Sequence, residues 1–236
     1  MQNLTLLALD TSTEACSVAL LYRGEKTHIN ELAQRTHTKR ILPMIDEILA
    51  NSGLGLNQVD ALAFGRGPGS FTGVRVGAGI AQGLAFGADL PVIPISNLTA
   101  MAQAAFELHQ AENVVAAIDA RMNEVYFSQL VREKVRSDFG EVSQWREIIS
   151  EQVCSPEQAI KQLQNDNAFR VGTGWAAYSQ FTEKNLTGSD IALPNALYML
   201  ELARVEYLQK HTISALEIEP IYLRNEVTWK KLPGRE

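Results

Sequence analysis

The sequence predicts an α/β protein made of two similar halves, each a mixed sheet with flanking helices. Three observations predict it. Short apolar runs of strand length alternate with segments whose apolar residues recur at helical spacing. A strand, an aspartate, a polar turn and a second strand open the chain around Asp10 and recur around Asp119, an offset of 109 residues. Internal repetition of this kind governs architecture before any single motif does. Finally, 236 residues with 46% hydrophobic content are enough for two small domains, each with its own core.

In the first half, residues 4–9 form an apolar run that ends at Asp10, and residues 15–22 follow the polar turn Asp10-Thr-Ser-Thr-Glu14. This pattern predicts a β-hairpin. Residues 26–32 read as a third strand. Thr36 or Thr38 offers an N-cap to a helix carrying Ile41, Leu42, Met44, Ile45, Ile48 and Leu49, with Pro43 in an early turn and a stop near Gly53. Residues 59–65 form the next strand, followed by the turn Gly65-Arg-Gly-Pro-Gly69, Ser70 as N-cap, and a glycine-studded helix. A strand over 90–95 and a helix over 98–108 complete a β-β-β-α-β-α-β-α unit. The second half repeats the opening with strands over 114–119 and 124–130. It continues with a charged segment, a helix over 156–164, a strand over 168–172, the turn Gly172-Thr-Gly174 and a helix over 195–210. The expected division is 1–109, 110–215 and a basic, aromatic tail over 216–236.

Gly73, Gly77, Gly79, Gly83 and Gly87 lie inside one predicted helix, and each costs roughly 1 kcal/mol there relative to alanine. Three compensations fit: close packing on the chain's own sheet, close approach of a partner, or a turn that receives phosphate. The last lacks the Lys-Ser/Thr ending of a P-loop and the spacing of a dinucleotide fingerprint. The four-residue steps strip ridges of the helix so that another backbone can come near. Arg75, Gln82 and Asp89 interrupt the segment, so the ridge does not read as a membrane-helix motif.

A formal net charge of −6 and a pI of about 5.3 have the wrong sign for unaided grip on a nucleic-acid backbone. Cys16 and Cys154 form no CxxC pair, which fits a reducing, cytoplasmic setting. The N-terminal segment has no basic region before its apolar run and meets Asp10 too early for a signal sequence. No apolar run reaches the roughly 18 residues of a membrane span. His28, His37, His109 and His211 are scattered without metal-ligand spacing. Neither Ser70 nor Ser96 has a base at a recognisable spacing.

An aspartate-bearing hairpin at the start of each half resembles the actin-like ATPase (ribonuclease H-like) superfamily, which includes sugar kinases and chaperone ATPases. Four segments narrow this: Leu7-Ala-Leu-Asp-Thr-Ser-Thr13, Gly67-Pro-Gly-Ser-Phe-Thr-Gly-Val-Arg75, Ile118-Asp-Ala-Arg121 and Pro220-Ile-Tyr-Leu-Arg224. In order and spacing, over essentially the whole chain, they resemble the TsaB (YeaZ) family, which serves the synthesis of threonylcarbamoyladenosine in tRNA. The closing Trp229-Lys-Lys-Leu-Pro-Gly234 is similar to gammaproteobacterial members.

The resemblance implies a subunit without catalysis of its own. The paralogue TsaD transfers the threonylcarbamoyl group using a metal held by two histidines just after a strand. Matching strand to strand places Asn97 and Met101 at those positions, and an amide and a thioether do not replace two imidazoles. The implied catalytic and metal residues are therefore none. For the superfamily's nucleotide cleft the resemblance points to Asp10, Thr11, Ser12, Asp119, Gly172, Thr173 and Gly174, with no cofactor required and weak ATP or ADP binding. The alternative is that these residues merely stabilise turns.

The implied partner surface comprises His37, Ile41, Met44, Ile45, Ile48, Gly73, Val76, Gly77 and Ile80, forming a four-helix interface with TsaD or with a second copy of the chain. The alternative is that they are ordinary core. The implied partners are TsaD, the small ATPase TsaE and the chain itself, with tRNA reached only through the complex and no membrane. Arg224, Lys230, Lys231 and Arg235 are candidates for contacts to TsaE or tRNA. A small-molecule kinase or ATPase and a glycoprotein peptidase remain as alternative functions.

Overall fold

Five consecutive buried residues make β1 (Leu6–Asp10) a strand covered on both faces, and the first sheet is built around it. In the computed structural model, which describes residues 4–33, 36–137, 140–164 and 167–224, this sheet has the order β3-β2-β1-β4-β5. Strand β2 (Ala15–Tyr22) returns antiparallel to β1, and β3 (Glu25–Leu32) pairs antiparallel to β2 at the edge. Strands β4 (Ala61–Gly67) and β5 (Val92–Ser96) lie parallel to β1 on its other side.

Alternation along the strands sorts two cores. Leu7, Leu9, Val18, Leu62 and Phe64 pack with α1 (His37–Asn51) and α2 (Phe71–Ala88). Leu6, Ala8, Ala19, Ala63 and Ile93 pack instead with α3 (Asn97–His109) through Ala100 and with α7 (Ala196–Leu208) through Met199, Leu200 and Ala203.

The second sheet has the order β8-β7-β6-β9. Strand β6 (Asn113–Arg121) is central, antiparallel to β7 (Glu124–Ser137) and parallel to β9 (Phe169–Val171). Helix α3 covers one face through Leu98, Met101 and Ala105. The other face is closed by α4 (Pro156–Gln162), α5 (Gly174–Ala177) and α6 (Ser179–Thr182), with Ala159, Trp175 and Phe181 buried among Val115, Ala117 and Phe127. Thus α3 packs on both sheets. Among the described residues no helix is long and apolar enough to cross a membrane.

Three expectations change. The charged segment after 130 contains β8 (Gly140–Cys154), a half-exposed edge strand whose polar residues masked its pattern. The boundary at 215 does not hold, because α7 covers the first sheet: Ala196 N donates to the buried Ser17 Oγ at 2.9 Å, and Ile213 bridges to Val92. Most importantly, Ile41, Met44, Ile45 and Ile48 are core residues, 0–3% exposed. A helix on a sheet with a second helix beside it buries a stripe this wide, leaving Leu42 and Pro43 outward.

Met44→Ala should therefore lose about 2–5 kcal/mol of unfolding free energy in urea denaturation, and Met44→Asp should leave no cooperative transition, because it buries an unpaired charge. Leu42→Asp, on the outward side of the same helix, should stay within about 0.5 kcal/mol of the parent.

Candidate functional site

The two hairpins β1–β2 and β6–β7 open onto one cleft of about 1290 Å³ between the halves. Its first wall is the turn Ser12–Glu14, the start of α1 at His37 and the glycine turn leading into α2. The facing wall is the end of β6 from Ile118 to Arg121 with Thr173, and the segment from Ile221 to Arg224 crosses its rim. Ser70 caps α2 as its residue type predicts, accepting from Gly73 N at 3.1 Å.

The glycines of α2 fall into two sets with different neighbours. A Cβ on Gly73 would collide with Thr11 O, and one on Gly77 would stand 2.9 Å from Thr11 Oγ1. Thr11 Oγ1 donates to Gly73 O at 2.7 Å, fixing this close approach of helix backbone to hairpin turn. Among the described residues, a Cβ on Gly79, Gly83 or Gly87 would meet nothing within 4 Å, and these glycines face outward with Phe86, which is 70% exposed. Gly73 and Gly77 therefore serve the chain's own packing. Val76 and Ile80 are half-buried, Val76 on the cleft wall and Ile80 against the first core. His37 is also turned inward, with Nε2 2.7 Å from Thr13 O.

Ser12, Asp119 and Thr173 line the cleft, but Asp10 and Thr11 lie beneath its floor, each 1% exposed. The Asp10 carboxylate accepts from Ser12 Oγ at 3.1 Å and Ser12 N at 3.4 Å. Its other oxygen and Asn97 Oδ1 have no hydrogen-bond partner among the described residues, and a Cβ on Gly65 would strike both. Burial pushes the Asp10 carboxyl up to about 7, against the opposing pull of its Ser12 hydrogen bonds. Asn97 also holds Ser12 Oγ and Pro68 O through Nδ2. Gly172 and Gly174 back onto Ala117 rather than the cleft, since a Cβ on either would crowd the Ala117 carbonyl.

Asp119 reaches the cleft but is occupied. Its Oδ1 accepts from Tyr178 Oη at 2.6 Å and from Arg121 N at 2.8 Å, and its Oδ2 pairs with Arg121 Nη1 at 3.0 Å. Thr173 Oγ1 accepts from Asp119 N at 3.1 Å. Burial, then the Asp119 hydrogen bond, raises the Tyr178 phenol to about 12, so it stays a donor. Arg121 also reaches Glu14 of the first hairpin at 3.8 Å. One aspartate sealed under the floor and another held by arginine and tyrosine do not fit a Mg²⁺-nucleotide. Arg121 is legible two residues after Asp119, whereas Tyr178 carries no local signal.

Asn97 and Met101, the positions matched to metal-binding histidines, are both fully buried. Asn97 belongs to the Asp10 network, and Met101 to the core between α3 and the second sheet. Arg66 and Glu151 join the halves at 3.0 Å, with Glu151 also accepting from Ser96. Lys230, Lys231 and Arg235 fall outside the described residues.

Residues 28–230 match the family model described as TsaD, tRNA N6-adenosine threonylcarbamoyltransferase. Over the full length of both chains, the sequence is 98% identical to a Haemophilus influenzae protein named tRNA threonylcarbamoyladenosine biosynthesis protein TsaB. An Escherichia coli protein of the same name is 46% identical, with 98% of this chain and 99% of that one covered. A Pseudomonas aeruginosa crystal structure, described as an uncharacterized protein with similarity to the peptidase YeaZ, superposes with a TM-score of 0.82 at 41% identity. The match covers 94% of this chain and 100% of that one.

The buried Asp10 sets a pH dependence of known sign. Between its ordinary 3.8 and about 7, the unfolded chain releases this proton while the folded chain keeps it, so the Asp10 contribution to stability falls as pH rises through that window and is constant above it. Asp10→Asn, which mimics the protonated acid, should remove this fall. In urea titrations the stability of the variant relative to the parent should rise from pH 4 to pH 7; a constant difference would refute the assignment.

Proposed function

The chain belongs to the TsaB (YeaZ) family of tRNA threonylcarbamoyladenosine biosynthesis proteins, and from that premise we propose that it serves threonylcarbamoyl transfer as a subunit without group-transfer chemistry of its own. The observation that carries this reading is the fate of the two hairpin aspartates: Asp10 is buried with Ser12 and Asn97, and Asp119 is held by Arg121 and Tyr178. A nucleotide entering the cleft finds hydroxyls and the α2 N-terminus but no free carboxylate pair for its metal, so binding of ATP or ADP is weak.

The contribution to the pathway is then a surface. The outward ridge Gly79, Gly83 and Phe86, at i, i+4 and i+7 of α2, lets a second helix approach closely and gives it an aromatic anchor. The partner on this reading is TsaD, with TsaE recruited to the joint assembly and tRNA reached through it. A second copy of the chain occupies the same ridge when TsaD is absent. The net charge of −6 agrees with indirect rather than direct contact to tRNA.

Gly83→Leu and Phe86→Asp should keep the parent's thermal transition, weaken association with TsaD by about tenfold or more, and reduce reconstituted tRNA modification in step. Full modification by folded variants would place the working surface elsewhere. Purified chain alone should show no ATP turnover. Robust hydrolysis abolished by Asp119→Ala would put the kinase or ATPase reading first.

A further inference from the structure

The turn joining β6 to β7 carries three consecutive non-glycine residues with positive φ: Arg121 at 62°, Met122 at 55° and Asn123 at 60°. Met122 and Asn123 occupy the two-residue loop, since Arg121 pairs with Glu124, and a register shift between Asp119 and Arg121 adds a bulge. Such a loop requires φ > 0 at both central residues. Asparagine tolerates it, whereas methionine and arginine are disfavoured there. Something outside the turn must hold it.

Arg224 is placed to do so. Its Nη2 donates to Ala120 O at 3.1 Å and Arg121 O at 3.4 Å and pairs with Glu124, while Nη1 lies 3.6 Å from Met122 Sδ. With 19% of its side chain exposed, these charge-assisted bonds are shielded and strong. The segment leading to it is tied to the first half, where Ile221 N donates to Arg66 O at 3.1 Å. Beside that tie, Arg75 stacks between Phe71 and Tyr222. Residues 221–224 thus cross from the glycine turn of one half to the hairpin of the other.

We propose that residues 221–224 are a strap whose Arg224 holds the β6–β7 turn in its left-handed form and thereby keeps Arg121 on Asp119 and Glu14 across the cleft. The Arg121 pairs cannot hold the turn themselves, because that side chain is 77% exposed and such ion pairs contribute little. When the strap is engaged the cleft is latched by the chain's own cation. Releasing Arg224 lets the turn relax, Arg121 withdraw and Asp119 Oδ2 become available, while Oδ1 stays with Tyr178. The inference concerns contacts within the chain and is independent of which partner the α2 ridge meets.

The test uses the full chain. In hydrogen–deuterium exchange, Arg224→Ala should speed exchange of amides over 118–126 by about tenfold or more, as expected when charge-assisted bonds to a turn are lost, with the α2 amides unchanged. Met122→Gly, which removes the backbone penalty, should restore slow exchange in the Arg224→Ala background. Unchanged exchange at the turn in Arg224→Ala would overturn the proposal, as would failure of Met122→Gly to slow it in the double variant. Loss of the parent's thermal transition in Arg224→Ala would also overturn it, since the residue would then support the fold as a whole.

Discussion

The approach of the α2 backbone onto the β1–β2 turn is the constraint on which the rest of the site depends. Thr11 and Ser12 meet α2 where Gly73 and Gly77 have no side chains, and the Thr11 hydroxyl closes the contact on a helix carbonyl. Once that is fixed, Asp10 cannot reach the cleft: the residues that follow it form the floor, and Asn97 at the start of α3 fills the remaining polar space. Two helix glycines each forgo roughly 1 kcal/mol of propensity. In exchange, strand, turn and two helix starts become one buried network, in which Ser12 and the Asn97 amide tie the hairpin turn to the glycine turn while one Asp10 oxygen and Asn97 Oδ1 face each other without a hydrogen-bond partner among the described residues.

The halves share a hairpin and a central strand but resolve the same aspartate differently. In the first, burial makes the carboxyl hold its proton near neutrality; in the second, the carboxyl group is engaged by arginine and tyrosine. Burial dominates the first site, and direct pairing and hydrogen bonding occupy the second. Equivalent topology therefore does not confer equivalent chemistry.

The hairpins, the offset repeat, the Ser70 cap and the glycine helix are legible because each is set by local residue pattern. Strand β8 was hidden because an edge strand with charged residues on an exposed face lacks a clear alternation. The reach of α7 to the first sheet was equally hidden, since nothing in residues 196–208 states which sheet they will cover. For the candidate site, Ser12, Asp119 and Thr173 are singled out only through the superfamily resemblance that the hairpins and the glycine turn carry, and the structure sets them on one cleft. The depth of Asp10 and the grip of Tyr178 on Asp119 depend on contacts across 59 to 85 residues of chain. Helix α1 illustrates the ambiguity of apolar width, because a stripe broad enough for an interface is also what a sheet plus a neighbouring helix will bury.

Separating the α2 glycines into inward and outward sets explains how one helix can serve both packing and contact. Residues facing the hairpin are constrained by atoms within van der Waals range, whereas Gly79, Gly83 and Gly87 meet open space among the described residues, so no packing within that part of the chain compensates their propensity cost. A helix retained by packing alone would carry alanine there and be more stable by roughly 1 kcal/mol per position. On the proposed reading the outward glycines serve a state in which a partner helix is laid against them, while the inward ones fit α2 closely onto its own sheet and so present that surface.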